Sequence, residues 1–382
     1  MMNNTLEVFY RFFLLGWISF GGPAAHIGYF QKAFVDKLQW LDNKEYGKLV
    51  ALSQFLPGPG SSQVGFAIGL QRAGLAGAIA AFLGFTLPSF LLMYALAQSQ
   101  TWLAGSTADG IIHGLKLLAV VVVADACVSM YQSFCKTRLA KSIAALSLVI
   151  LLVTPGIGVQ IGVLLLAAII GAIFCKDEAE KHHTLTSNKP NYTLLLVFFI
   201  LFLATPWLVE QQGIAQVFAY FYQSGALVFG GGHVVLPLLQ ETAGQNINND
   251  TFLMGYAAAQ AVPGPMFTLA SFLGAHSFAQ APFMGSLVAT LAIFLPGFLL
   301  VLALQGAWQS ISAKPRVAGA VVAINAAVVG LLLSALYSPV FTLAVVSNLH
   351  MALVATGLLL LRVLKLPIGI LVVVFALAGI LL

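Results

Sequence analysis

The chain has 382 residues, 60% of them hydrophobic and only 8% charged, with a formal net charge of +5. Soluble domains run nearer a quarter charged, so this composition excludes an ordinary soluble protein and reads as an all-α polytopic membrane protein. The positive balance is then a topology signal; no basic face with interleaved aromatics exists, and no nucleic-acid partner is expected.

The first apolar run, Phe12 to Phe20, imitates a signal-peptide core, with Pro23-Ala-Ala25 as a mock cleavage site. Arg11 alone precedes it beside Glu7, and a helix-breaking Gly-Gly follows, so it reads as retained and structural. It runs into a first break, Ser19-Phe20-Gly21-Gly22-Pro23, with His26 close behind. Residues 31–48 carry Lys32, Lys37, Lys44 and Lys48. A second break follows at Gln54-Phe-Leu-Pro57-Gly58-Pro59-Gly60, with Ser61, Ser62 and Gln63 after it.

Four apolar runs come next, at about 73–100, 110–134, 142–154 and 157–175. The second holds two charges, Lys116 and Asp125, nine residues apart and so not facing each other. Asp125 is expected deep in the membrane. Cys127, Cys135 and Cys175 show no ligand spacing, so neither a metal site nor a disulfide framework is expected, and no cofactor. A polar stretch, 176–191, reads as a cytoplasmic linker whose His182-His183 pair is solvated. An apolar run at 192–209 is a connecting transmembrane helix.

The second half, 210–382, repeats the first, 1–175. Val228-Phe-Gly230-Gly231-Gly232 with His233 matches the first break, and Gln260-Ala-Val-Pro263-Gly264-Pro265 the second. Hydroxyls follow this break closely too, Thr268 and Ser271, as Ser61 and Ser62 follow the one in the first half. Further crossings are expected at 283–308, 317–337, 341–361 and 367–382. Asn325 lies at the repeat equivalent of Lys116.

Charge orients these runs. Lys136, Arg138 and Lys141, the lysines of 176–189, Lys314 with Arg316, and Arg362 with Lys365 fall on one side, cytoplasmic by the positive-inside rule. Loop 31–48 is basic, whereas its counterpart 240–250 holds Glu241 and Asp250 and no Lys or Arg, so the two repeats are expected to have inverted topology. The amino terminus would then be cytoplasmic and the carboxyl terminus external. Parity favours two re-entrant hairpins and four crossings per half; one kinked spanning helix per Gly-Gly motif is the alternative.

Such breaks survive in a membrane only inside protein or beside a cavity, and matched breaks in two halves point to a transporter binding site. A half-helix starting mid-membrane offers free N–H groups and a positive dipole end, suited to an anion, and proline fits its first position. The candidate substrate-binding set is therefore Gly21 to Pro23, His26, Gln54, Pro57 to Gln63, Gly230 to His233, Gln260, Pro263 to Pro265 and Thr268. Lys116, Asp125 and Asn325 are candidates for coupling or gating, Lys116 as an anion-attracting group. Ser19 ranks lower because its partner position, Val228, has no hydroxyl. No acid-base-nucleophile grouping points to an enzyme.

Phe20-Gly-Gly-Pro-Ala-Ala-His-Ile27, Gln54-Phe-Leu-Pro-Gly-Pro59 with Ser61-Ser-Gln63, Phe229-Gly-Gly-Gly-His233 and Val262-Pro-Gly-Pro265 resemble the chromate transporter family in its long, two-domain form. The resemblance implies export of chromate from the cytoplasm of a bacterial cell across the inner membrane, with sulfate as a related substrate. Gly232 replaces Pro23, and Met266-Phe267 stands in place of Ser61-Ser62, so an asymmetric site weighted to the first half is expected. Alternating access between inverted repeats is the expected mechanism; an oxyanion channel or sensor using the same pocket is the alternative. A homodimer is the expected assembly.

Overall fold

The computed structural model describes residues 4–20, 22–99, 106–175, 189–312 and 314–381, and among them the regular structure is all helical, without strands. The first half runs through α1 (Asn4–Ile18), α2 (Gly22–Phe30, continued by π-helical turns over Gln31–Lys37), α3 (Asn43–Phe55), α4 (Gly60–Ser99), α5 (Ser106–Phe134), α6 (Arg138–Val153) and α7 (Ile157–Phe174). After α8 (Tyr192–Glu210) come α9 (Gly213–Leu227), α10 (Val235–Glu241), α11 (Asn249–Ala261), α12 (Leu269–Ser277), α13 (Pro282–Leu304), α14 (Trp308–Ser312), α15 (Pro315–Ala335), α16 (Thr342–Ala344), α17 (Asn348–Arg362) and α18 (Ile368–Leu381). Helix starts coincide with side-chain caps: Asp42 accepts from Glu45 N–H and Thr137 from Ala140 N–H.

Among the described residues, six helices are long and apolar enough to cross a membrane. Two expected crossings have different limits. The run at 317–337 continues through π-helical turns at Leu336–Phe341 into α16, so the expected 341–361 crossing begins only at Asn348. Cis-Pro339 lies within those turns. The run at 73–100 is joined to the arm before it as one 40-residue helix, interrupted where Ala73 and Gly74 leave helical geometry.

The arms around the first half's breaks are short. Helices α1 and α3 have 15 and 13 residues, about 20 Å each at 1.5 Å per residue, well below the ~30 Å of a bilayer core. Their outer ends gather. Arg72 pairs with Glu7 at 3.2 Å and stacks over Trp40 at 4.9 Å, while Trp40 packs on Phe34 at 4.8 Å. The chain thus leaves from Glu7, turns at the Gly-Gly break, returns to Phe34, then makes a second excursion through Pro57-Gly58-Pro59 back to Arg72. Both excursions therefore start and end at the same cluster, Glu7, Phe34, Trp40 and Arg72. Phe12, Phe30, Phe34 and Phe85 fill the first excursion, with ring centroids 4.7 to 6.4 Å apart.

The halves interlock through their long helices. α5 packs against α18 and α17 of the second half, and α15 against α7 and α6 of the first. The two crossings are matched: a β-carbon on Gly110 would stand 2.6 Å from the Gly379 carbonyl, and one on Gly319 2.4 Å from the Gly171 carbonyl. These paired approaches set Gly110 against Gly319 as equivalents, and the same offset sets Lys116 against Asn325.

Candidate functional site

The chain reverses at four Gly/Pro breaks, and the four meet. The Gly58 N–H donates to the Val228 carbonyl at 2.8 Å, and the Gly264 N–H donates to the Ser19 carbonyl at 2.8 Å. Each Pro-Gly-Pro turn therefore binds the Gly-Gly break of the other half. Pro23 packs on Gly232, where a β-carbon would lie 3.4 Å from the Pro23 Cγ and 3.0 Å from the Met266 Cε. Gly58 and Gly264 hold φ of 124° and 97°, a region closed to most side chains. A β-carbon at Gly58 would sit 2.9 Å from the Gly297 Cα, and one at Gly264 2.8 Å from the Ser89 Oγ, again equivalent positions in opposite halves. Because these two glycine N–H groups serve the cross-half bonds, they are not the free anion donors the sequence suggests.

Free donors lie one step on. The Gln63 N–H is the first in α4 to reach an intrahelical acceptor, the Pro59 carbonyl at 2.9 Å, so those of Gly60, Ser61 and Ser62 precede the helical ladder. His26, 1% exposed, places Nδ1 3.2 Å from Ser61 Oγ and its ring edge-on to Phe85. Gln63 donates through Nε2 to the Pro57 carbonyl at 2.9 Å and the Gly297 carbonyl at 3.3 Å. Four atoms here are buried without a hydrogen-bond partner: Ser19 Oγ, His26 Nε2, Ser62 Oγ and Gln63 Oε1. Orphaned buried polar groups are costly, so four of them on residues that flank the first half's breaks call for a ligand or for water.

The second half closes its counterparts. His233 Nδ1 lies 3.0 Å from the Tyr256 hydroxyl, and Gln260 Nε2 lies 2.7 Å from the Met266 sulfur. The Thr268 hydroxyl donates to the Pro265 carbonyl at 2.8 Å, and that of Ser271 to the Phe90 carbonyl at 3.0 Å. Asn325 stands against the third break, where a β-carbon on Gly230 would lie 3.3 Å from its Oδ1, and that oxygen is another buried orphan.

Other candidates fall elsewhere. Gln54 is exposed, unlike buried Gln260, because its face of α3 turns away from the break. Lys116, offered as an anion-attracting group, is instead paired with Asp250 at the start of α11, at 2.8 Å. Asp125, expected deep and hard to reach from water, is about a third exposed and paired with Arg362, which also donates to Ser129 Oγ at 3.0 Å. Gly21 and the 176–188 part of the linker, with His182-His183, lie outside the described residues. Tyr256, Ser89 and the Val228 carbonyl carry no sequence signal of their own. Among the described residues, no group of three or more His, Cys, Asp or Glu is placed to hold a metal.

The chromate transporter family model matches residues 6–172 and again 215–381. A probable chromate transport protein of Synechococcus elongatus is 30% identical over 85% of this chain and 83% of its own length. The chromate transport protein of Pseudomonas aeruginosa is 27% identical over 85% of this chain and 79% of its own length. An uncharacterised transporter of Methanocaldococcus jannaschii is 28% identical over 78% of this chain and 75% of its own length. No solved structure matches the chain.

Proposed function

For a chain that belongs to the chromate transporter family, we propose export of a tetrahedral dianion, chromate or its analogue sulfate, by alternating access between two inverted repeats. The multi-pass helical fold and the two-fold family match are the frame; the site is our reading of the geometry. The observation that carries it is the meeting of four helix breaks beside orphaned polar atoms of the first half.

The dianion would sit at the amino end of α4, taking backbone N–H groups of Gly60 to Ser62 and the Ser62 hydroxyl. With the Ser61 hydroxyl donating to His26 Nδ1, the ring proton stands on His26 Nε2, which becomes a further donor toward the ligand. Such donors to a charged acceptor contribute about 1.5–3 kcal/mol each. The second half, with His233 and Gln260 already satisfied, acts more as the surface that rocks than as the one that binds.

The two cross-half bonds, Gly58 to Val228 and Gly264 to Ser19, are the contacts such rocking would exchange. An inside-negative potential favours outward movement of a dianion by roughly 4.6 kcal/mol per 100 mV, twice the single-charge figure. Counterflow in proteoliposomes tests this reading. Preloaded unlabelled chromate is expected to accelerate saturable uptake of labelled chromate, whereas ohmic conductance without counterflow would contradict the carrier.

A further inference from the structure

One cleft takes no part in this scheme. It has a volume of about 170 Å³ and opens between the carboxyl end of α6, the start of α7, α10 and α15, with Pro155, Gln160, Gln240, Glu241, Ser334 and Pro339 in its wall. Its polar side chains are rich in oxygen. Gln160 is 5% exposed, and its Oε1, like that of Gln240, is buried without a hydrogen-bond partner. Among the described residues, Glu241 is the only titratable one lining the cleft, and it forms no ion pair. Desolvation pushes its carboxyl above the ordinary value, with no compensating charge. The carboxyl end of α6 adds the negative pole of its dipole.

The cleft thus holds a half-buried carboxylate, two orphaned amide oxygens and the carboxyl end of α6, with no Lys or Arg among its described lining residues and the amino end of α7 as its positive pole. Carboxylate, amide and hydroxyl oxygens suit a hard cation, and a single carboxylate suits one charge.

We propose that this cleft is a binding site for a small monovalent cation, held by the Glu241 carboxylate and the side-chain oxygens of Gln160, Gln240 and Ser334. Its place gives it a role that rests on the carrier reading above. α6 and α7 belong to the first half, whereas α10 and α15 belong to the second, so a cation here ties the halves together. α10 also follows directly from the Gly230–Gly232 break, through the helical turn at Gly232–Val234. Filling or emptying the cleft would therefore bias the break that rocks, which makes the cation a counter-ion for anion export.

The test uses the full chain in nanodiscs, with thermal unfolding followed in NaCl and in choline chloride of equal ionic strength, at several pH values. Wild type is expected to be stabilised by Na⁺ with saturation, and Glu241→Gln to raise the half-saturating concentration about tenfold or more. Gln160→Leu, which keeps the volume and removes the oxygen, should shift it the same way, and Glu210→Gln should not. If hydronium is the occupant, Na⁺ has no effect, and the pH dependence of unfolding differs between wild type and Glu241→Gln. Identical Na⁺ and pH responses in the two proteins overturn the site. Chromate counterflow by wild type is measured separately: counterflow without a cation response defeats only the cation site, and a cation response without counterflow defeats only the carrier.

Discussion

The Gly58 N–H and the Val228 carbonyl, 170 positions apart in sequence, meet at 2.8 Å, and Gly264 and Ser19 repeat the bond at 2.8 Å with the halves exchanged. A backbone bond made twice, reciprocally, ties each Pro-Gly-Pro turn to the opposite repeat. Both glycines need backbone angles closed to other residues, and both face a neighbour that leaves no room for a methyl group.

Gly58→Ala and Gly264→Ala should each destabilise by about 1–3 kcal/mol through backbone strain, before any steric cost, and should abolish transport. Gly28→Ala, at an exposed helical position where an added methyl group would meet open space, is the control and should change neither. Thermal unfolding and chromate uptake in inverted vesicles check both claims.

Ser62→Ala separates binding from folding. Its hydroxyl is buried and unpartnered, so removing it breaks no bond inside the protein and should leave the unfolding temperature unchanged or raised. Half-saturation for chromate should nonetheless rise about tenfold to a hundredfold, the equivalent of one donor to a charged ligand. A transport defect accompanied by equal loss of stability would mark Ser62 as a packing residue.

Lys116 and Asp250 offer a charge-reversal test. With Asp250 more than half exposed, solvent screening holds the pair to no more than about 1 kcal/mol. Lys116→Asp should weaken folding slightly, and the double exchange with Asp250→Lys should restore both stability and uptake. Failure of the exchange to restore uptake would return Lys116 to the role of an anion-attracting group.

Single cysteines in a background lacking Cys127, Cys135 and Cys175 test sidedness. Glu45→Cys, at the start of α3, should react with an impermeant thiol reagent only from the cytoplasmic side. Asn248→Cys, at the cap of α11, should react only from the opposite side. Equal labelling from one side would contradict the inverted repeat.

The breaks were legible because glycine and proline declare themselves: one such motif alone could be a tight helix crossing or a kink, and it was the repetition in matched positions that favoured a shared role. Loop lysines likewise set 31–48 apart from 240–250, and the repeat offset pairing Lys116 with Asn325 is the one the glycine crossings reproduce. Backbone roles were not legible. Ser19 ranked low because Val228 has no hydroxyl, yet both positions act through their carbonyls, which every residue has. Matched positions also diverged where helix facing decides, as with exposed Gln54 and buried Gln260. Partners such as Asp125 and Arg362, 237 residues apart, depend on how α5 meets α17, which no local pattern encodes.

The central claim is that a tetrahedral dianion binds where α4 begins, between the reciprocal glycine bonds. Uptake of labelled chromate into inverted vesicles, by wild type, Ser62→Ala and His26→Ala at matched protein levels, tests it most directly. The account predicts saturable uptake competed by sulfate in wild type, and a half-saturating concentration raised at least about tenfold in each variant. Unchanged half-saturation in both variants would contradict it.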